Sequence, residues 1–220
     1  ASDGDDIVLY ADESRERERM RLPQLRNQQA DRERNLSLAD FVAPLGSGVK
    51  DYVGAFAVTA GLGLEELAGR YRSEGDDYRA IMAKLLADRL TEAFAEALHR
   101  YARVTLWGYE REGQWSVGDL LAEKYQGIRP AFGYPSAPDH SLKADVFALM
   151  DVGTVTGMTM TESYMIVPGE AACGLMLGHP EARNFSVGRI DSEQLASYAA
   201  RRGTDPEKMR VLIPQHLIDM

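Results

Sequence analysis

The stretch "YQGIRPAFGYPSAPDH", residues 125–140, sets one arginine, three prolines, two glycines and three aromatic rings side by side. Proline fixes φ and removes a backbone donor, whereas glycine permits conformations and close approaches that side chains forbid. Such a run can be neither a regular helix nor a strand. It specifies a loop of one definite shape, and loops of this kind present chemistry: here Arg129, Tyr134 and bare backbone amides and carbonyls.

Outward from the loop, the chain alternates helix and strand signals irregularly. "IVLY" (7–10) reads as a short strand, and the charge-dense "ESRERERMRLPQLRNQQADRERN" after it as a solvated arm or helix face. "DYVGAFAVTAG" (51–61) reads as a buried strand, and "LEELAGRYR" as a short helix. The clearest periodicity follows: Tyr78, Ile81, Met82, Leu85, Leu86, Leu90, Ala93, Phe94, Ala97, Leu98 and Tyr101 recur at three- and four-residue steps. This predicts a long amphipathic helix packing that stripe inward, with Glu92 and Glu96 solvated. "SVGDLLAEKY", capped by Ser116, delivers the chain into the loop. Beyond it come a helix over "LKADVFALMDV", a strand over "TGMTMTESYMIVPG" turning at Pro168-Gly169, and a hairpin over "ACGLMLGHPEARNFSVGRI". Two last helices cover "SEQLASYAARRG", with Ser192 as cap and Gly203 as stop, and "TDPEKMRVLIP". Without regular βαβ alternation, the class is α+β.

Composition narrows the function. With 220 residues, 45% hydrophobic and 27% charged, the chain is an ordinary globular sequence read as one domain over 1–220. No apolar run approaches the ~20 residues of a membrane span. A net charge of −9 opposes binding to a phosphate backbone, so nucleic acid is not an expected partner. The single cysteine, Cys173, excludes an internal disulfide and a multi-cysteine metal site, and points to a reducing, cytoplasmic setting. The start at Ala1, without a leader pattern, reads as a processed or excised piece of a longer chain.

Familiar catalytic motifs fail. In "TAGLGLEELAG" the final position of a G-x-G-x-x-G pattern would be Glu66, whose carboxylate repels a pyrophosphate, so the fold is not Rossmann. His99, His140, His179 and His216 are scattered, and spacing nominates neither a Ser-His-Asp nor a Cys-His arrangement. His140 and His179 sit in turn-like sequence and read as surface or supporting histidines. No catalytic or metal-binding residue is assigned.

The loop resembles the R-P-A-x-G-Y-P hallmark of the C-terminal S-adenosylmethionine-binding reactivation domain of cobalamin-dependent methionine synthase. "GDDI", "LADFVAP" (38–44), "DYVGAFAVTAG", "ADRLTEAFAEALH" (87–99), "TGMTMTES" (156–163) and "GHPEARNFSVGRI" (178–190) are similar to that family's blocks, in order. The resemblance implies a single C-shaped α+β domain with a twisted antiparallel sheet flanked by helices. It implies that S-adenosylmethionine supplies a methyl group, and flavodoxin or a flavoprotein reductase an electron, to restore methylcobalamin from cob(II)alamin. It also implies a ligand set. Arg129 would fork onto the methionine carboxylate, Asp40 would accept from the ammonium, Ala131 and Gly133 would let backbone approach, and Tyr134 would lie against the ligand. At the pair where the family commonly has two tyrosines this chain has Asn184 and Phe185.

Read from residues alone, Arg129 ties the loop to a carboxylate such as Glu123, Asp40 is a turn or cap residue, and Tyr134 is loop packing. A sulfonium is already activated, which agrees with the missing acid-base dyad. The family's cobalamin motif D-x-H-x-x-G is absent, so cobalamin would come only through a partner domain. The competing reading is a stand-alone module that senses S-adenosylmethionine or docks flavodoxin in trans, without its own catalysis.

Overall fold

A computed structural model describes residues 1–29, 34–213 and 217. Its helices and strands are mixed along the chain, the α+β class expected. The chain forms two compact units interleaved in sequence. The first comprises Ala1–Val53, Gln126–Leu142 and Leu177–Met220; the second comprises Gly54–Tyr125 and Lys143–Met176.

The first unit begins with β1 (Ser2–Asp3), β2 (Asp6–Tyr10) and β3 (Glu18–Pro23), an antiparallel sheet in that order. The third strand corrects the reading of the charged run as an arm. Ile7 faces Leu22 across the ladder, and both are fully buried. That apolar cross-strand pair fixes the register. The surrounding charge is neutralised locally, because Arg21 pairs with Asp3, Asp6 and Glu18, and Asp6 also pairs with Arg201. Residues 30–33 of the same run lie outside the described residues.

A 3₁₀ turn at Leu38–Phe41 follows, and the unit closes with α6 (Ser192–Arg201) and α7 (Pro206–Leu212). Asp191 rather than Ser192 caps α6, accepting from the Gln194 amide at 2.8 Å. A carboxylate in that position also complements the helix dipole. Leu25, Val187, Ile190, Leu195, Tyr198 and Met209 form the core beneath these helices. The predicted hairpin over 172–190 is half realised: Ala171–Leu177 is a strand, but residues 178–189 form none. The Val187 amide bonds the Pro135 carbonyl instead, at 2.8 Å, and the Ser186 carbonyl accepts from Asn27. Loop contacts thus take the place of a ladder.

In the second unit β4 (Val53–Thr59) pairs with β7 (Ala171–Leu177). A small antiparallel hairpin, β5 (Thr159–Met160) with β6 (Ile166–Val167), replaces the single strand expected there. Helices α1 (Leu64–Ser73) and α2 (Asp77–Tyr101) pack together, while α3 (Val117–Leu121), α4 (Leu142–Met150) and α5 (Val152–Thr156) complete the set. Ser116 caps α3 in a reciprocal box with Asp119, as its sequence predicts.

The long helix is present, but its orientation is opposite to the expectation. Its buried residues are Ala80, Ala87, Thr91, Ala95 and His99, whereas Tyr78, Ile81, Leu85, Leu86, Leu90, Phe94 and Tyr101 are exposed. Close approach explains the choice. The Thr91 hydroxyl sits between the Ala60 amide at 3.2 Å and the Glu170 carbonyl at 2.9 Å, a separation that large side chains on that face would forbid.

Glu96 is likewise not a solvated residue. It accepts from the Tyr125 hydroxyl at 3.0 Å and lies 3.6 Å from Arg103. Arg103, fully buried in the π-helical turn Ala102–Leu106, donates to Glu110 at 2.7 Å and stacks 3.7 Å over the Tyr125 ring. This cluster fixes Tyr125, the first residue of the opening stretch. Removing one partner of a buried ion pair strands the other charge. Glu110→Ala is therefore expected to destabilise the protein by about 3–5 kcal/mol, read by urea denaturation.

Candidate functional site

The seven residues expected to bind ligand all fall in the first unit. The loop that carries four of them is held from several sides. Ile128 exchanges two backbone bonds with Leu177, both at 2.9 Å, and the Gln126 side chain donates to the Gly178 carbonyl at 2.7 Å. A tight turn closes on itself through Tyr134 N to Ala131 O, Ala137 N to Tyr134 O and Gly133 N to Ala137 O. Phe132 and Ala137 are buried and anchor the turn from within. Asp139, 1% exposed, accepts from the Tyr198 hydroxyl and the Ser141 amide, both at 2.7 Å, with Arg202 3.5 Å away. Burial, and the neighbouring Asp139 charge, push the Tyr198 phenol well above its ordinary range, so it stays a donor.

Gly133 is the position where the loop admits no other residue. Its φ is +94°, and a Cβ built there would lie 2.3 Å from the His140 ring. Conformation and space both demand glycine. His140, which spacing left without a role, is the wedge against which the turn is formed. His179 is a turn residue as predicted, its Nδ1 accepting from the Glu181 amide at 3.1 Å.

What the loop displays follows from this scaffold. Tyr134 is 59% exposed although its backbone is pinned, so one aromatic face is available. Arg129 is half-buried between the buried Ile128 and Pro130, and Ala131 is half-buried at the turn's start.

Asp40 is more engaged than its predicted ligand role requires. It closes a capping box with Ser37, accepting from that amide at 2.9 Å, and Arg26 forks onto both carboxylate oxygens at 2.7 Å. Three of the roughly four acceptor sites of a carboxylate are thus used among the described residues. Partial burial raises the Asp40 pKa, but the Arg26 hydrogen bonds and the Ser37 amide outweigh it and hold the carboxyl below its usual value. The reading of Asp40 as a cap is realised. The pattern "SLAD" was the available signal for it. Arg26, which sequence reading did not single out, also bonds Asp5 and the Asn35 carbonyl. Arg26, Arg34, Asn35, Asp40, Val42 and Pro44 are among the residues lining a cleft of about 350 Å³; none of the loop residues 129–134 lines it.

Asn184 and Phe185 are divided in role. Phe185 packs on the core, its ring edge-on to Phe41 with centroids 6.4 Å apart, while Asn184 is exposed. The Phe41–Phe185 contact and the Val187–Pro135 bond link the Asp40 turn, the 184–187 segment and the loop within one unit.

Residues 1–203 match the profile of the vitamin B12-dependent methionine synthase activation domain. The chain belongs to that family. Among solved structures, this activation domain matches the MetH reactivation domain bound to AdoHcy with a TM-score of 0.95 and 43% identity, over 99% of this chain and 67% of that one. Among the described residues of the activation domain, no helix is long and apolar enough to cross a membrane.

Two outcomes test this geometry. Gly133→Ala is expected to destabilise the protein by at least about 1 kcal/mol, and His140→Ala in the same chain to recover the steric part but not the conformational part. A double-mutant cycle of thermal unfolding measures that coupling. For Asp40, the depressed native pKa means that its contribution to stability is complete above the unfolded value near 3.9 and is lost as pH falls through the lower native value. Melting temperatures between about pH 5 and about pH 3 should therefore fall more steeply for the wild type than for Asp40→Asn.

Proposed function

We propose that this activation domain binds S-adenosylmethionine through the 126–142 loop and presents its methyl group to a cobalamin held by another domain of methionine synthase. The observation that carries the reading is the relative bound to AdoHcy, the demethylated form of that ligand, matched at 43% identity over 99% of the chain, including the loop.

The loop's own chemistry supports it. Arg129 offers a planar fork for a carboxylate, and the exposed Tyr134 face attracts a sulfonium by roughly 0.5–2 kcal/mol. Gly133 and Ala131 leave backbone accessible to the amino-acid or adenine moiety. Asp40, with one acceptor site left beside Arg26, takes a share of the ligand ammonium rather than the whole of it. Phe185 shapes the wall through Phe41, and Asn184 supplies hydrogen bonding where the family commonly has a second tyrosine hydroxyl.

The residues do not fit cobalamin itself: the D-x-H-x-x-G motif is missing, and no step on that cofactor is assigned to this chain. Its task is positioning. Because the sulfonium carbon is already activated, orientation and exclusion of water suffice, and no acid or base is required. The electron needed for reductive methylation would come from a flavodoxin or flavoprotein reductase.

Isothermal titration with S-adenosylmethionine and S-adenosylhomocysteine tests the proposal. Saturable binding is expected for both, weakened about 10- to 100-fold in Arg129→Ala, the cost of one charge-assisted bidentate contact. A folded wild type that binds neither ligand, or an Arg129→Ala variant that binds equally well, would overturn it.

A further inference from the structure

Phe41 joins two half-buried rings of the first unit. Its own ring is buried; it meets His179 at 6.1 Å between centroids, tilted by 37°, and Phe185 edge-on at 6.4 Å. Phe41 belongs to the turn that carries Asp40, and the other two rings to the segment that follows β7. That segment is tied to the 126–142 loop at both ends. The Gln126 side chain holds the Gly178 carbonyl at 2.7 Å, and the Val187 amide holds the Pro135 carbonyl at 2.8 Å.

His179 is used on one side only. Its Nδ1 accepts from the Glu181 amide at 3.1 Å and its carbonyl from the Ala182 amide at 3.0 Å, which closes the turn through Pro180. A ring nitrogen that accepts carries no hydrogen, so the hydrogen of the neutral imidazole sits on Nε2. Among the described residues that Nε2–H has no hydrogen-bond partner, and it is not sealed from solvent. The turn by itself does not require imidazole, because an asparagine side chain accepts from the amide two residues on in the same way. What imidazole adds is a flat ring and a second donor held in a fixed direction.

We infer that His179 contacts the adenine of S-adenosylmethionine, its Nε2–H donating to a ring nitrogen of the purine; this rests on the ligand reading given above. That reading engages the carboxylate with Arg129, the ammonium in part with Asp40 and the sulfonium with Tyr134. The ammonium and sulfonium are cations and offer no acceptor to an N–H group. The purine is the part left over, and its chemistry matches: apolar faces, and N1, N3 and N7 as acceptors along its edge. His179 and Phe185, braced by Phe41, supply aromatic surface for the faces, and the fixed Nε2–H supplies the donor for the edge. A site built with a donor of this kind rejects ligands that lack the matching acceptor. His179 is thus a specificity-determining residue for the adenosyl group.

The test is isothermal titration with S-adenosylhomocysteine and with its 1-deaza, 3-deaza and 7-deaza analogues, each of which replaces one acceptor nitrogen by C–H. One analogue is expected to bind the wild type about 3- to 10-fold more weakly than the parent ligand, the cost of one neutral hydrogen bond. His179→Asn keeps the acceptor for the turn and should remain folded by circular dichroism. It should lose about the same factor toward S-adenosylhomocysteine, and nothing further toward that one analogue. His179→Gln, which returns an amide donor close to the Nε2 position, should recover most of the loss. A wild type that binds all four ligands equally, or a His179→Asn variant that binds S-adenosylhomocysteine as tightly as the wild type, would overturn the inference and leave the ligand site standing. So would an equal loss toward all four in His179→Asn, since it would assign His179 to the turn alone. A folded wild type that binds no adenosyl ligand would overturn the site itself, and this inference with it.

Discussion

Asp139 is a carboxylate with almost no access to water, and such a group survives only if its oxygens are fully engaged. Its partners are a phenol on α6, an amide two residues on, and a nearby guanidinium just past the end of α6. That arrangement ties the proline- and glycine-rich loop to the core formed by α6 and α7. The Ile128–Leu177 bonds hold the loop's beginning, Asp139 holds its end, and the Pro135–Val187 bond holds its middle. Between these points the backbone has little freedom left. The exposed ring of Tyr134 is therefore carried on a rigid support, which is how a loop can recognise a ligand without paying a large ordering cost on binding.

The second unit shows a different use of buried charge. Arg103, Glu110, Glu96 and Tyr125 form a network around an arginine with no exposure, and it begins where the π-helical turn interrupts the regular ladder of α2. A buried arginine is costly to place and more costly to abandon, so the network specifies one arrangement more than it adds stability. Its result is local: the residue that opens the loop stretch is fixed through its ring and its hydroxyl.

Both glycines of the failed nucleotide motif have structural explanations. A Cβ on Gly61 would meet Pro168 and Glu170 at 2.8 Å, and Gly63 takes a φ of +78° at the start of α1. The same logic holds for Gly133. In each case glycine marks close approach or a left-handed backbone. What the space is used for is decided by the surrounding atoms: a proline and a glutamate in one case, a histidine ring in the other.

Sequence alone determined what rests on neighbours in the chain: the long helix, the Ser116 cap, the α+β class, and a loop too rich in proline and glycine to be anything else. It also held the family, because the RPAFGYP and LADF blocks are contiguous. Only tertiary structure decided which face of α2 turns inward, since periodicity locates an apolar stripe but cannot say whether large or small residues meet the neighbouring strands. The fold likewise chose Arg26 for Asp40, His140 for Gly133 and Tyr198 for Asp139. Two of these three pairs, Arg26–Asp40 and Tyr198–Asp139, join residues fourteen and fifty-nine positions apart. Local pattern carries no information about contacts at such separations, where packing and charge compensation select the partner.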